Sequence, residues 1–173
     1  MEGTCISILE DDIPRDGGVW PEYALTALIC FERWENGVIC GQLRSFCFQN
    51  SRSFRGLDGL LFSLEELMDD MGCPQPWQRR RSRSASLAEQ VPTAEEDRED
   101  VHQKPFYSPE ALGAYRGRIC TAAVRIYSRQ HASMQGQIRL AGQTICFRSA
   151  LELMHLLYEE LEQSMEGRDR RVL

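Results

Sequence analysis

An internal repeat constrains this chain more than any single residue does. Thr26-Ala27 followed by Gly41-Gln42-Leu43-Arg44 recurs as Thr121-Ala122 followed by Gly136-Gln137-Ile138-Arg139, with the same gap between the two pieces. Further on, Phe54-Arg55 opens a leucine-rich stretch and Phe147-Arg148 opens another, two residues out of step with the first match. A half-unit of this size cannot hide its apolar face alone and is stabilised by packing against its duplicate. The repeat therefore predicts architecture well and chemistry poorly.

Within the first copy, residues 23–33 read as a strand with Ile29 and Phe31 on one face. Glu35-Asn36-Gly37 follows, where Asn-Gly supplies the positive φ of a tight hairpin, and the return strand runs from Val38 to about residue 48. Gly41 inside it, like Gly136, marks a bulge or the close approach of another backbone. Residues 49–53 form a polar loop. After Phe54, the residues Leu57, Leu60, Leu61, Leu64, Met68 and Met71 line one face of a helix that Gly72 ends.

In the second copy, residues 119–128 and 135–140 pair, and Ala141-Gly142 turns the chain into a third strand over 143–147. Ser149 and Glu152 form a capping box that starts a helix at Ala150, with Leu153, Met154, Leu157 and Leu161 on its buried stripe. Gly56 stands where Ser149 stands, as a tolerated cap. The expected fold is α+β: two β-β-β-α repeats with antiparallel sheets, whose two amphipathic helices share one core about a pseudo-two-fold axis. One continuous sheet and two packed sheets remain equally open. The expected divisions are an N-terminal arm (1–22), the first repeat (23–73), a charged flexible linker (74–107), a short helix opened by Ser108-Pro109-Glu110 plus the second repeat (108–165), and a polar tail (166–173). The linker holds Arg79-Arg80-Arg81-Ser82-Arg83 and then Glu95-Glu96-Asp97-Arg98-Glu99-Asp100, with too few apolar residues to offset the entropy of ordering it.

A net charge of -6 argues against a general nucleic-acid binder, and the basic run lacks the interleaved aromatics that stack bases, having only Trp77 nearby. No run approaches the roughly 18 apolar residues of a membrane span, and no signal-peptide pattern opens the chain, so a cytoplasmic setting without a membrane partner is expected. The seven cysteines form no Cys-x-x-Cys pair and read as reduced core thiols, Cys146 between Ile145 and Phe147 among them, with Cys73 the most accessible. His102, His131 and His155 are scattered, and neither a metal site nor a cofactor is expected.

The stretch from Arg129-Gln130-His131-Ala132-Ser133-Met134 through Phe147-Arg148-Ser149-Ala150-Leu151-Glu152-Leu153 resembles small uncharacterised proteins of anaerobic gram-positive gut bacteria. The segment from Phe54 to Met71 with Pro74-Gln75 is similar to their other half, and the chain departs from them at His131 and Met134. The resemblance implies a bacterial cytoplasmic setting and no particular activity.

Arg55 and Arg148 each precede a helix whose free N–H groups favour an anion, with Ser149 at the second helix start and the matched Arg44 and Arg139 able to add charge. The bland alternative pairs Arg55 with Asp58 and Arg148 with Glu152 as solvated surface ion pairs. Trp34 and Trp77, large aromatics in turns, are candidate anchors for a protein partner. These features favour a non-enzymatic protein-interaction or regulatory module. Small-anion or nucleotide binding through the arginines, and nucleic-acid binding through the basic linker, are the alternatives.

Overall fold

The computed structural model describes residues 25–72, 74, 105–130 and 133–169, the last four by backbone only. The expected arm, most of the linker with Arg79 to Arg83 and Trp77, Cys73, His102 and His131 lie outside these residues. Strands β1 (Thr26–Glu35), β2 (Val38–Ser45) and β3 (Arg52–Arg55) lead into helix α1 (Gly56–Met71). A short helix α2 (Pro109–Gly113) precedes β4 (Cys120–Ser128), β5 (Gln135–Leu140) and β6 (Gln143–Phe147), which lead into α3 (Ala150–Asp169). All six strands form a single sheet in the order β3-β2-β1-β4-β5-β6, every neighbouring pair antiparallel. The strands thus join edge to edge through β1 and β4, and two face-packed sheets are excluded.

Local sequence explains the hairpins. Asn36 and Gly37 sit at φ 51° and 76°, and Ala141 and Gly142 at φ 46° and 82°, so each two-residue turn places both central residues in the left-handed region that matches strand twist. The β1–β2 ladder runs from Ala27 opposite Ser45 to Phe31 opposite Gly41, then slips by one residue so that Arg33 faces Cys40. The β4–β5 ladder runs from Ala123 opposite Arg139 to Ile126 opposite Gly136, then slips so that Ser128 faces Gln135. The two glycines therefore lie opposite the bulges rather than within them. A Cβ at Gly41 would collide with the Cys30 carbonyl and the Phe54 ring, and one at Gly136 with the Arg125 carbonyl and the Phe147 ring. In each ladder the aromatic ring of the edge strand covers the missing side chain.

Alternation assigns the two faces of the sheet. Ala27, Ile29, Phe31, Ile39, Leu43, Phe54, Ala122, Val124, Ile126, Ile138 and Phe147 share one buried cluster with Leu60, Leu64, Leu67 and Met68 of α1 and Leu153, Leu157 and Leu161 of α3. Each of the Val, Leu, Ile, Phe and Met side chains among them contributes about 1.5–3 kcal/mol on burial. Helix α3 starts as its sequence dictates: Ser149 Oγ accepts from Glu152 N–H at 3.1 Å, and the Glu152 carboxylate accepts from Arg148 N–H at 2.7 Å. Helix α1 has no side-chain cap, and Gly56 there adopts φ 77° with the Asp58 carboxylate filling the space a Cβ would need.

On the opposite face, Leu28, Cys30 and Ala123 would be exposed were they not covered by the segment 105–119, whose Leu112 is fully buried against them. Ser108 Oγ caps α2 by accepting from Ala111 N–H. The segment is stitched down at both ends. The N–H groups of Phe106 and Tyr107 donate to the Phe46 carbonyl, and Ile119 N–H donates to Phe31 O at 2.9 Å.

Candidate interaction surfaces

The four arginines proposed from sequence take up two different kinds of position. Arg44 pairs with Leu28, Leu28 with Ala123 and Ala123 with Arg139, so Arg44, Leu28, Ala123 and Arg139 form one transverse row across the sheet. Three strand spacings separate the two arginines, about 14 Å. Arg44 is engaged within the fold: its guanidinium lies 3.7 Å from the centroid of the Tyr115 ring and donates to Gln42 Oε1 at 2.9 Å. Arg55 instead closes β3 and Arg148 follows β6, the opposite edges of the sheet, at least five spacings or about 24 Å apart and, because β3 and β6 run in opposite directions, at opposite ends of it. The structure does not bring them to one corner.

Each edge arginine also has an acidic neighbour. Arg148 is exposed and makes an i,i+4 ion pair with Glu152 at 3.4 Å. The Arg148 N–H held against the Glu152 carboxylate, and then its side chain, keep that carboxyl below the usual range. Arg55 lines a shallow cleft of about 260 Å³ with Glu32, Arg33, Glu35, Cys40 and Gln42. Charges in this cleft are internally matched: Arg33 binds Glu35 at 2.5 Å and the Cys40 thiol donates to Glu35 at 3.6 Å. The Arg33 hydrogen bond, then its charge, lowers the Glu35 carboxyl, with Arg55 adding a smaller contribution. Asp58, the alternative partner for Arg55, turns instead toward Gly56.

The thiols are mostly structural. Burial pushes both Cys30 and Cys47 up to about 11, which leaves them almost entirely protonated and poorly nucleophilic at neutral pH. Cys146 departs from the sequence reading, because it is exposed. Its neighbours Ile145 and Phe147 point to the helix layer, whereas Cys146 points the other way from an edge strand. Trp34 faces Ile39 across the β1–β2 hairpin and, 37% exposed, stands among the exposed large hydrophobic side chains. His155 is exposed on α3.

The outward surface of α3 was not apparent from the leucine stripe alone. Leu153, Leu157 and Leu161 are buried, yet Leu151, Tyr158 and Met165 are 62%, 52% and 47% exposed. These three recur every seventh residue and lie along one line of the helix. With half-buried Met154 between them and the core, the apolar arc of α3 extends over about 220° at 100° per residue, roughly twice what packing on one sheet requires. Glu159 and Glu162 are exposed along its far side. The signal was present in the sequence as apolar residues outside the buried positions.

Among the described residues, no helix is long and apolar enough to cross a membrane. Comparison of the chain with protein-family models, with curated proteins and with solved structures gave no match.

Proposed function

We propose that this chain is a doubled β-β-β-α unit working as a non-enzymatic protein-interaction module, with the outward face of α3 as its principal contact surface. The doubling is supported by the ladders: the glycines, the bulges opposite them and the covering rings of Phe54 and Phe147 recur at equivalent places. Leu28 and Ala123, equivalent in the two copies, pair with each other, where a two-fold axis would pass. The single observation that carries the interaction reading is the line of Leu151, Tyr158 and Met165, apolar area left in water beyond what the core uses.

The equivalent helix argues that the fold itself does not require this line. Counting from Phe54-Arg55 and Phe147-Arg148, the places of Leu151, Tyr158 and Met165 are taken in the first copy by Asp58, Glu65 and Gly72. The same framework therefore tolerates charge there, and the apolar choice in α3 serves something other than folding. The sequence resemblance to small proteins of anaerobic gram-positive bacteria supports a partner from the same bacterial setting. Anion binding has less support, since Arg44 is stacked on Tyr115, Arg148 pairs with Glu152, and Arg55 shares its cleft with Glu35.

The test is site-directed photocrosslinking in a bacterial lysate with the probe at position 155, beside the line, and a control probe at position 62 on α1. The expected result is a discrete adduct from position 155 that disappears when Leu151→Asp and Tyr158→Asp are introduced together. An adduct indifferent to that double substitution, or equal labelling from both positions, refutes the reading.

A further inference from the structure

The chemistry around the line identifies the kind of partner it fits, an inference that rests on the interaction reading above. Leu151, Tyr158 and Met165 span roughly 21 Å at 1.5 Å per residue, a straight apolar seam with a seven-residue repeat. A straight seam of that period matches the a or d positions of another helix, which meets it at small crossing angles. An extended strand has no edge to pair with here, because the backbone hydrogen bonds of a helix are satisfied internally.

Charge selects among helices. Helix α3 carries Glu152, Glu159, Glu160 and Glu162 and no lysine or arginine between Ala150 and Met165, where the one imidazole, His155, is exposed beside the seam. Glu159 and Glu162 are exposed beside the seam, and the Glu162 carboxylate, hydrogen-bonded to the Tyr158 hydroxyl, holds that phenol above its usual range. The neighbouring helix layer is no different, since α1 has Asp58, Glu65, Glu66, Asp69 and Asp70 and no basic residue. A second copy of α3 would set these carboxylates against their own kind, so self-pairing is disfavoured.

We propose that α3 is the docking face for a basic amphipathic helix, whose apolar stripe lies on Leu151, Tyr158 and Met165 and whose Lys or Arg residues run beside Glu159 and Glu162. Apolar contact supplies the affinity, and the acidic border sets orientation and excludes acidic helices.

The test uses the full chain and three labelled synthetic peptides of about 18 residues. One is an amphipathic Leu/Lys helix, one has its Lys replaced by Glu, and one is a scramble of the first with no amphipathic period. Fluorescence anisotropy is read on wild type, Leu151→Ser/Tyr158→Ser, Glu159→Gln/Glu162→Gln and Phe62→Ser, each checked for an unchanged circular dichroism spectrum. The basic amphipathic peptide is expected to bind wild type. Affinity is expected to fall by about tenfold or more on loss of the two apolar anchors and by about two- to fivefold on neutralising the glutamates, and to be unchanged by Phe62→Ser on α1. Equal binding of the Glu peptide, or of the scramble, overturns the proposed partner chemistry while leaving a contact surface on α3 in place. Basic-peptide binding that ignores Leu151→Ser/Tyr158→Ser overturns the site, and the absence of binding by any of the peptides overturns the proposal; the crosslinking result then decides the broader reading separately.

Discussion

Replacing Asp69 with Asn is expected to cost more stability than replacing Arg129 with Met, although Arg129 is the buried partner of the pair and Asp69 the exposed one. The Arg129 side chain is 7% exposed and donates to Asp69 Oδ1 and to the Pro74 carbonyl, each at 2.7 Å, while its Nη2 is buried without a hydrogen-bond partner among the described residues. Removing the carboxylate leaves a buried guanidinium whose charge has lost its compensation. Breaking a fully buried pair costs about 3–5 kcal/mol. Arg129 keeps the Pro74 carbonyl, and an acid in the last turn of α1 is itself unfavourable by about 0.3–1 kcal/mol, so the expected net loss for Asp69→Asn is about 2 kcal/mol.

The Arg129→Met change has a different balance. It removes the charge with its desolvation cost and keeps a stem of similar length for packing, and Asp69, 62% exposed, returns to water. The expected loss is below about 1 kcal/mol. Urea unfolding followed by circular dichroism measures both, and an unchanged m-value is required for the comparison. In melting temperature, the Asn variant should fall by about 4–8 °C, given about 2–4 °C per kcal/mol at this size. If Arg129→Met is the more damaging change, the claim that the guanidinium is held there by Asp69 at a desolvation cost is wrong.

Other outcomes follow from the same geometry. Ala141→Asn should raise the melting temperature by a few degrees, since a non-glycine residue at φ 46° carries about 1 kcal/mol of strain that Asn relieves; an unchanged or lower value counts against the turn. Gly41→Ala and Gly136→Ala should each lower stability by about 2 kcal/mol or more, because strand backbone and an aromatic ring must both move; calorimetry showing a neutral effect at either site contradicts the close approach. Glu152 has a folded-state pKa below its unfolded value, so its ionised form contributes stability above about pH 4.5 that is lost as pH falls through the folded pKa. The melting-temperature gap between wild type and Glu152→Gln should therefore be present at pH 7 and closed at the acid end. Peptide-resolved alkylation with iodoacetamide should label Cys146 while Cys30 and Cys47 resist until the chain unfolds.

Much of the fold can be read from the sequence because its local signals agree with one another. Asn36-Gly37 and Ala141-Gly142 mark the hairpins, Ser149 and Glu152 mark the start of α3, and Gly72 at φ 66° ends α1. The joining of the halves through β1 and β4 was not readable, because strand pairing across so long a separation leaves no local trace. Position on the sheet also decides what neighbouring residues cannot: Cys146 is exposed because β6 is an edge strand, although both of its neighbours are apolar. For the surfaces, the matched arginines stand out in sequence yet lie at separate places. The contact face proposed for α3 came instead from exposure, since the stripe through Leu153, Leu157 and Leu161 does not tell how far Leu151, Tyr158 and Met165 stand in water.

The account depends on the two halves sharing one core across the Leu28–Ala123 pair. Native-state hydrogen exchange, read peptide by peptide by mass spectrometry, tests that most directly. The account predicts that the most protected amides of β1 and β2 and those of β4 and β5 open with the same free energy, equal to that of global unfolding by urea. Protection in one half that is lost several kcal/mol before the other would mean two independently folding units, and the shared core would have to be abandoned.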